Sequence, residues 1–354
     1  MPKNITLKDV ARHAGVSYQT VSKVIRNQIQ VTPEVRTRIE AAIDSLGYHP
    51  NAAAQNLRTK ASHLIGYSWQ LDSQNHSSPV LEQFQHSIVE CAEDFGYHIL
   101  LFPQRAGRDL YTTYEELVHT RRVDGFVLSS VEYDDPRLPI IQRLGVPVVS
   151  FGDPHGGEQV PYVDVDGRAG MTDIVQHLIE QGHRRIAVLA WPENSRVGSE
   201  RLAGYWNAME AAELPVDPKW VMRGKGEIDY GYEAAQKLLD LPEKHRPTAI
   251  VTMVDTIAIG VIQALESCGL EAGVDIAVTG FDDMPVAHHF KPSLTTARQP
   301  VWEVGRAVIN LLIAQLKGDT PAARHHLLRP ELIVRESSIS IASNGDVAVD
   351  GTHE

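Results

Sequence analysis

The stretch YQTVSKVIRN (residues 18–27) leaves Tyr18, Gln19, Ser22 and Lys23 on one side once Val21, Val24 and Ile25 turn inward at helical spacing. A glutamine amide can donate to and accept from adenine N6 and N7 together. A tyrosine offers a hydroxyl and an apolar ring to a thymine methyl group. The chemistry on offer is reading of base edges in a DNA major groove, not bond-making, and the plain alternative is a solvated helix face.

Bond-making signatures are missing from the sequence. It has no Gly-x-Ser-x-Gly elbow and no GxxxxGK[ST] phosphate loop, and Gly224-Lys225-Gly226 lacks the third glycine of a dinucleotide fingerprint. Sixteen histidines raise the question of a metal. Yet the members of the adjacent pairs His288–His289 and His325–His326 point apart on either a helix or a strand, with no CxxC or HExxH nearby. His183, in QGHRR, falls at a helix–strand turn where a structural hydrogen bond suffices. We expect no catalytic residue, no cofactor and no metal; an enzyme would need an unfamiliar site. Cys91 and Cys268 fall on apolar stripes and read as core, and two cysteines cannot make a disulfide framework, which fits a reducing cytosol.

Charge is unevenly placed along the 354 residues. The whole chain carries −12, but residues 1–60 hold nine Lys and Arg against four acids, a net of +5 that leaves −17 for the rest. A basic head on an acidic body is expected where one end alone meets a polyanion. No apolar run approaches the roughly 18–20 residues of a membrane span. The opening MPKNITLKDV lacks the layout of a secretory signal, so a cytoplasmic protein without a membrane partner is expected.

The elements that must position these residues follow from periodicity. Thr6 is a candidate N-cap for LKDVARHA, and Gly15 ends that helix. Ser17 caps the helix carrying Tyr18 and Gln19, and Thr32-Pro33 opens a third with Val35, Ile39, Ala42, Ile43 and Leu46 on one stripe. Two helices about a Gly-containing turn, braced by a third, describe a helix-turn-helix unit. Pro50 then breaks the chain, and residues 52–58 offer only about two turns of helix, marginal in water.

From Leu64 onward, apolar β-branched runs at 64–69, 98–103, 125–130, 147–152, 162–166, 185–191, 249–254, 276–281 and 294–299 alternate with amphipathic helices. Alternation of this kind predicts α/β architecture with parallel sheets, two of them given the strand number. The tail 341–354 is short and polar.

TLKDVARHAGVSYQTVSKVIRN and VTPEVRTRIEAAIDSLGYHPNAAAQNLRT closely resemble the amino-terminal segment of the LacI (lactose repressor) family of bacterial transcription regulators. RVDGFVLSS, IEQGHRRIAVLAWP, ERLAGYWNAME, PTAIVTMVDTIAIGVIQALESCGL and VTGFDDMPVAHHFKPSLTTARQP extend the resemblance to about residue 337. It implies a helix-turn-helix head (1–48), a hinge helix (49–61) and a two-subdomain core (62–340) similar to periplasmic sugar-binding proteins, before the tail. Three crossovers are expected near 161, 291 and 325, dividing the core into 62–161 plus 292–325 and 162–291 plus 326–340.

The resemblance also suggests roles. Tyr18 and Gln19 match base-reading positions, whereas Lys3, Thr6, Ser17, Asn27 and Arg36 suit phosphate contacts, which position without reading. Leu57 matches a leucine that wedges into the minor groove of a palindromic site, and Ala53 and Ala54 would let two hinge helices approach; Leu57 packing on Leu64 and Ile65 is the alternative. Arg201 and Asp282 sit where the family holds its effector, with Val80 and Leu81 at positions that touch it. Asp255 keeps the acid beside Val254, a position that is commonly Asn in sugar-binding members. Asp166 is either an effector contact or a helix N-cap. Phe151, Trp191 and Trp69 end strands, where open α/β sheets place ligands or simply core. Gly152-Asp153 replaces an acid that many members carry directly after their fourth strand.

Together these imply a homodimeric repressor of carbohydrate uptake or breakdown genes, since the tail has no tetramerising heptad. Its partners would be a palindromic operator and a sugar-like effector that sets the angle between subdomains. A purine, nucleoside or phosphorylated co-repressor on the same architecture is the alternative.

Overall fold

The computed structural model describes residues 5–25, 29–48, 61–70, 78–104, 109–155, 160–319 and 323–338. The chain forms two units, Met1–Ser62 and His63–Glu354.

The first unit contains α1 (Leu7–Ala14), α2 (Tyr18–Ile25) and α3 (Pro33–Leu46). Thr6 takes the extended N-cap conformation, and its N–H (3.0 Å) and hydroxyl (2.6 Å) both donate to the Asp9 carboxylate. Gly15 ends α1 and Gly47 ends α3 at φ 65° and 59°, the left-handed conformation that costs glycine no Cβ clash. Val10, Ala11, Ala14, Val21, Val24, Ile39, Ala42 and Tyr48 form one apolar core. The expected hinge helix falls mainly on residues 49–60, outside the described residues, as does the tail from 339.

The second unit opens with β1 (Leu64–Gln70), α4 (Pro79–Glu93), β2 (His98–Gln104), α5 (Leu110–His119), β3 (Gly125–Leu128), α6 (Arg137–Leu144), β4 (Val148–Phe151) and β5 (Tyr162–Val165). The chain continues through α7 (Gly167–Glu180), β6 (Ile186–Ala190), α8 (Arg196–Ala211), β7 (Val221–Arg223), α9 (Ile228–Leu239), β8 (Ala249–Thr252), α10 (Asp255–Ser267) and β9 (Ala277–Thr279). It ends with β10 (Thr296–Arg298), α11 (Val301–Lys317), β11 (His325–Leu328) and β12 (Glu331–Ile333).

These strands build two parallel sheets, ordered β11-β5-β4-β3-β1-β2 and β7-β6-β8-β9, plus an antiparallel β10–β12 ribbon. Burial on both faces explains the continuous apolar runs: every residue of β3, β6 and β8 is buried. In β6, Ile186, Val188 and Ala190 face the α7–α8 layer while Ala187 and Leu189 face α9–α10, the period-2 alternation of a central strand. In the first lobe α4 and α11 cover one sheet face with Phe84, Ile88, Val304, Val308 and Leu312, and α5 and α6 cover the other with Tyr114, Leu117, Leu138 and Ile141. Each such aliphatic or aromatic side chain contributes about 1.5–3 kcal/mol.

Three strands lack a sequence signal. β7 (VMR), β11 (HHLL) and β12 (ELI) are short, sit at a sheet edge or in the ribbon, and have no β-branched run. The crossovers also fall later than expected. β5 and β11 both pair inside the first sheet, and Asp166 N–H still donates to the Leu328 carbonyl at 2.8 Å. β10 stays with the second lobe through bridges Thr279–Thr295 and Asp282–Arg298. The chain therefore changes lobes near 166, 299 and 329, once each strand's hydrogen bonds have been used, and not near 161, 291 and 325. Cys268 is exposed, not the core residue its stripe suggested, whereas Cys91 is half-buried and packs against the first-lobe core.

Candidate functional site

In the first unit, Ser17 accepts the Thr20 N–H at 3.1 Å and pairs with the Thr20 hydroxyl at 2.8 Å, fixing the start of α2. Beside that cap Tyr18 is 47% exposed and Gln19 is also exposed. Ser22 is not on this open face. It is 5% exposed, so its expected place among the open DNA-binding residues is corrected. Thr6 is held by Asp9, and Arg36 lies 3.9 Å from Glu40 along α3, a loose surface pair. Asn27, Ala54 and Leu57 fall outside the described residues, as does the side chain of Trp69.

In the second unit a cavity of about 200 Å³ opens between the two lobes at the carboxyl ends of the strands. Parallel sheets place ligands there because loops leaving the strand ends diverge and leave a crevice. Val80 and Leu81 reach it from the first turn of α4, Phe151 from the end of β4, and Trp191 from just past β6. Arg201 on α8 and Asp282 after β9 complete the polar wall, joined by Gln299 at a crossover.

Arg201 is 4% exposed and tightly bound. Its Nη2 donates to Asp282 Oδ1 at 3.1 Å, its Nη1 donates to the Met253 carbonyl, and its guanidinium stacks over Phe281 at 3.7 Å and near Trp191 at 5.3 Å. Asp282 also accepts from Gln299 Nε2 at 2.6 Å. Its backbone sits at φ 109°, a conformation non-glycine residues avoid. Burial pushes the Asp282 carboxyl up, against the opposing pull of Arg201 and Gln299. Two buried donors on this wall, Arg201 Nε and Trp191 Nε1, have no partner among the described residues.

A second guanidinium crosses the cleft. Arg196 at the start of α8 is 3% exposed; its Nη1 lies 2.9 Å from Asp164 on β5, and its Nε donates to the Val131 carbonyl at 3.3 Å. The Arg196 backbone N–H in turn donates to Glu132 at 2.7 Å. Glu200, also on the wall, pairs with Arg168 at 3.0 Å. Among the described lining residues, then, each cation is already matched by a carboxylate.

Asp255, expected at the ligand, does other work, and Asp166 takes the helix N-cap, the second of its two expected roles. Asp166 Oδ1 accepts the Ala169 N–H at 2.8 Å and caps α7. Asp255 is fully buried; it accepts from the Thr296 hydroxyl and the Met284 N–H, both at 2.7 Å, and so ties α10 to the loop carrying Asp282. Neither belongs to the cavity wall. Burial, then the nearby Asp282 charge, pushes the Asp255 carboxyl up to about 8. Sequence reasoning missed Glu132, Asp164, Arg196 and Gln299. Their only local cues were a polar residue after an apolar strand or at a helix start, and such residues are common on surfaces.

Residues 6–51 match the family described as bacterial regulatory proteins, lacI family, and residues 175–338 match a periplasmic binding protein-like domain. The chain is 36% identical over 342 residues to the HTH-type transcriptional regulator CelR of Thermobifida fusca, covering 94% of this chain and 98% of that one. It is 30% identical over 335 residues to the HTH-type transcriptional repressor PurR of Proteus mirabilis, covering 94% and 96%. Among solved structures, a LacI-family regulatory protein from Chloroflexus aggregans shares 43% identity at TM-score 0.74, covering 78% of this chain and 99% of that one. A CelR–cellobiose complex shares 33% identity at TM-score 0.70, covering 94% and 99%. The lac repressor dimer bound to operator and the anti-inducer ONPF shares 28% at TM-score 0.79, covering 95% and 100%.

Proposed function

The chain belongs to the LacI family of bacterial regulatory proteins, and from that premise we propose that it is a sequence-specific transcriptional repressor whose grip on its operator is governed by an uncharged sugar held between the core lobes. Its relatives are transcriptional regulators, and no enzymatic role is proposed. No helix among the described residues is long and apolar enough to cross a membrane. In this reading the protein works in the cytoplasm as a homodimer on a palindromic site, with Tyr18 and Gln19 at base edges and Thr6, Ser17 and Arg36 at phosphates.

The observation that carries the ligand class is the charge pairing of the cavity. Arg196 and Arg201 are each bound to a carboxylate, so a phosphate or carboxylate ligand would have to break an existing pair. A neutral polyol would instead use the spare lone pairs of Asp282, which lines the cavity, without displacing either pair. Phe151 and Trp191 supply apolar faces of the kind that pack on sugar rings, with Val80 and Leu81 beside them. A relative that binds cellobiose gives the first candidate, a glucose disaccharide.

The test is thermal melting of the full chain with cellobiose, glucose 6-phosphate and hypoxanthine in turn, followed by gel shifts on palindromic DNA. A ligand at 100 times its Kd adds about 2.7 kcal/mol of stability, and only cellobiose should do so. A shift with the phosphate or the purine alone would replace the neutral-sugar reading with the co-repressor one.

A further inference from the structure

Charge bridges the cleft from one lobe to the other. Arg196 stands on the second lobe, at the first position of α8, while its partners stand on the first: the Asp164 carboxylate of β5 at 2.9 Å and the Val131 carbonyl at 3.3 Å. The contact is reciprocated, because Glu132 reaches from the first lobe to accept the Arg196 N–H at 2.7 Å, satisfying one of the otherwise open donors at a helix start.

The first-lobe half of this contact is built rigidly. Asp164 is fixed by the Asp153 N–H at 2.9 Å and the Val165 N–H at 2.8 Å. The loop after β3 is braced by Arg137, 2% exposed, which donates to Asp135 through Nε at 2.9 Å and to the Ser129 and Ser130 carbonyls through Nη2 at 2.9 and 3.2 Å. Space for the guanidinium comes from Gly152, where an added Cβ would stand 3.0 Å from Arg196 Nη2. The arginine is seated in a prepared socket on the opposite lobe.

We propose that Arg196, Asp164 and Glu132 form an interlobe clasp that holds the cleft closed in the absence of effector, so that these three residues set the closure equilibrium on which the effector acts. The proposal rests on the effector reading for its consequence, because the clasp borders the same cavity. Three chain crossings near 166, 299 and 329 are the hinges about which the lobes would part. Parting the lobes gives up this ion pair and its two companion hydrogen bonds, whereas neutralising either partner leaves the other charge buried and unpaired in the closed form, so opening is resisted while the clasp is intact and favoured once one partner is neutral. Ligand hydroxyls entering the cavity meet Asp164 and Glu132 at its wall and can strengthen or compete with the clasp.

Amide hydrogen exchange on the full-length chain without ligand tests this, with Asp164→Asn and Arg196→Gln compared with the wild type. The decisive reading is across the cleft. Asp164→Asn, in the first lobe, should speed exchange at amides 195–199 of the second by about tenfold or more, and Arg196→Gln should do the same at 129–135 of the first. The strand at 186–190 should stay unchanged in both. Unaltered protection across the cleft, or acceleration spread equally into 186–190, would overturn the clasp. Because no effector is added, a failed sugar screen leaves this result standing, and a failed clasp leaves the sugar screen standing.

Discussion

Asp255 and Asp282 lie close together but differ in their partners. Asp282 has the Arg201 guanidinium, at 3.1 Å, and Asp255 accepts only from a hydroxyl and an amide. With the Asp255 carboxyl at about 8 against 3.8 for an unburied one, the folded chain holds a proton through that interval that the unfolded chain releases. The contribution of Asp255 to folding therefore falls as pH rises from about 4 to about 8 and levels off above. Asp255→Asn keeps an acceptor for Met284 and should flatten that part of the stability–pH curve, read by urea titration at pH 5 and pH 8; a parallel curve would mean the carboxyl is ionised throughout. Asp282→Asn removes the charge that Arg201 faces inside the wall. It should cost about 3 kcal/mol or more of stability, as loss of a buried ion partner does, and should erase the cellobiose melting shift. Retention of the full shift would move the ligand elsewhere. Arg201 and Asp282 were legible because short motifs, ERLAGY and GFDD, place them. The Arg196 socket was not, since its partners lie 32 and 64 residues away in another lobe and no local pattern joins them. Asp255 misled, and Asp166 left two readings open, for the opposite reason: a carboxylate near a strand end looks the same in sequence whether it faces a ligand or satisfies the backbone.

At the scale of elements, periodicity carried most of the fold. Runs such as RIAVLAW and AIVTMV are buried on both sides and could only be central strands, whereas HHLL at a sheet edge carries no such mark. The place where a chain changes lobes was likewise hidden, because β5 and β11 contain nothing that says which sheet they join until their neighbours are in place. Helix packing shows a sharper dependence on single residues. α9 and α10 meet backbone to backbone: an added Cβ at Gly231 would stand 2.1 Å from the Ile257 carbonyl oxygen, and one at Gly260 would stand 2.0 Å from that of Ile228. Neither neighbour is a side chain that can swing away, so the helices themselves would have to part. Gly260→Ala should therefore destabilise the core by about 1–3 kcal/mol, despite alanine's better helix propensity, and a midpoint in urea equal to the wild type's would show that α9 shifts without cost.

Over the whole molecule, charge and linkage decide behaviour. The +5 head on a −17 body confines polyanion contact to one end, so operator affinity should fall steeply with salt. If about six phosphates are neutralised by a dimer, the slope of log K against log salt is roughly −5; a slope near zero would remove the head from the DNA. Effector and operator, bound at different places on one chain, must then obey a reciprocal relation. Whatever factor cellobiose imposes on operator affinity, the operator must impose on cellobiose affinity, and a coupling of about 1–3 kcal/mol corresponds to roughly 5–150-fold in each direction. Clasp strength enters this balance directly. If Arg196→Gln opens the cleft, cellobiose must supply closure that the clasp had provided, so its affinity should fall while the maximal change it produces in operator binding grows. Titrating cellobiose with and without operator, for the wild type and Arg196→Gln, checks both statements. Unequal factors in the wild type would rule out a single linked equilibrium, and an Arg196→Gln variant with unchanged affinity and response would show that lobe closure is not the quantity the effector controls.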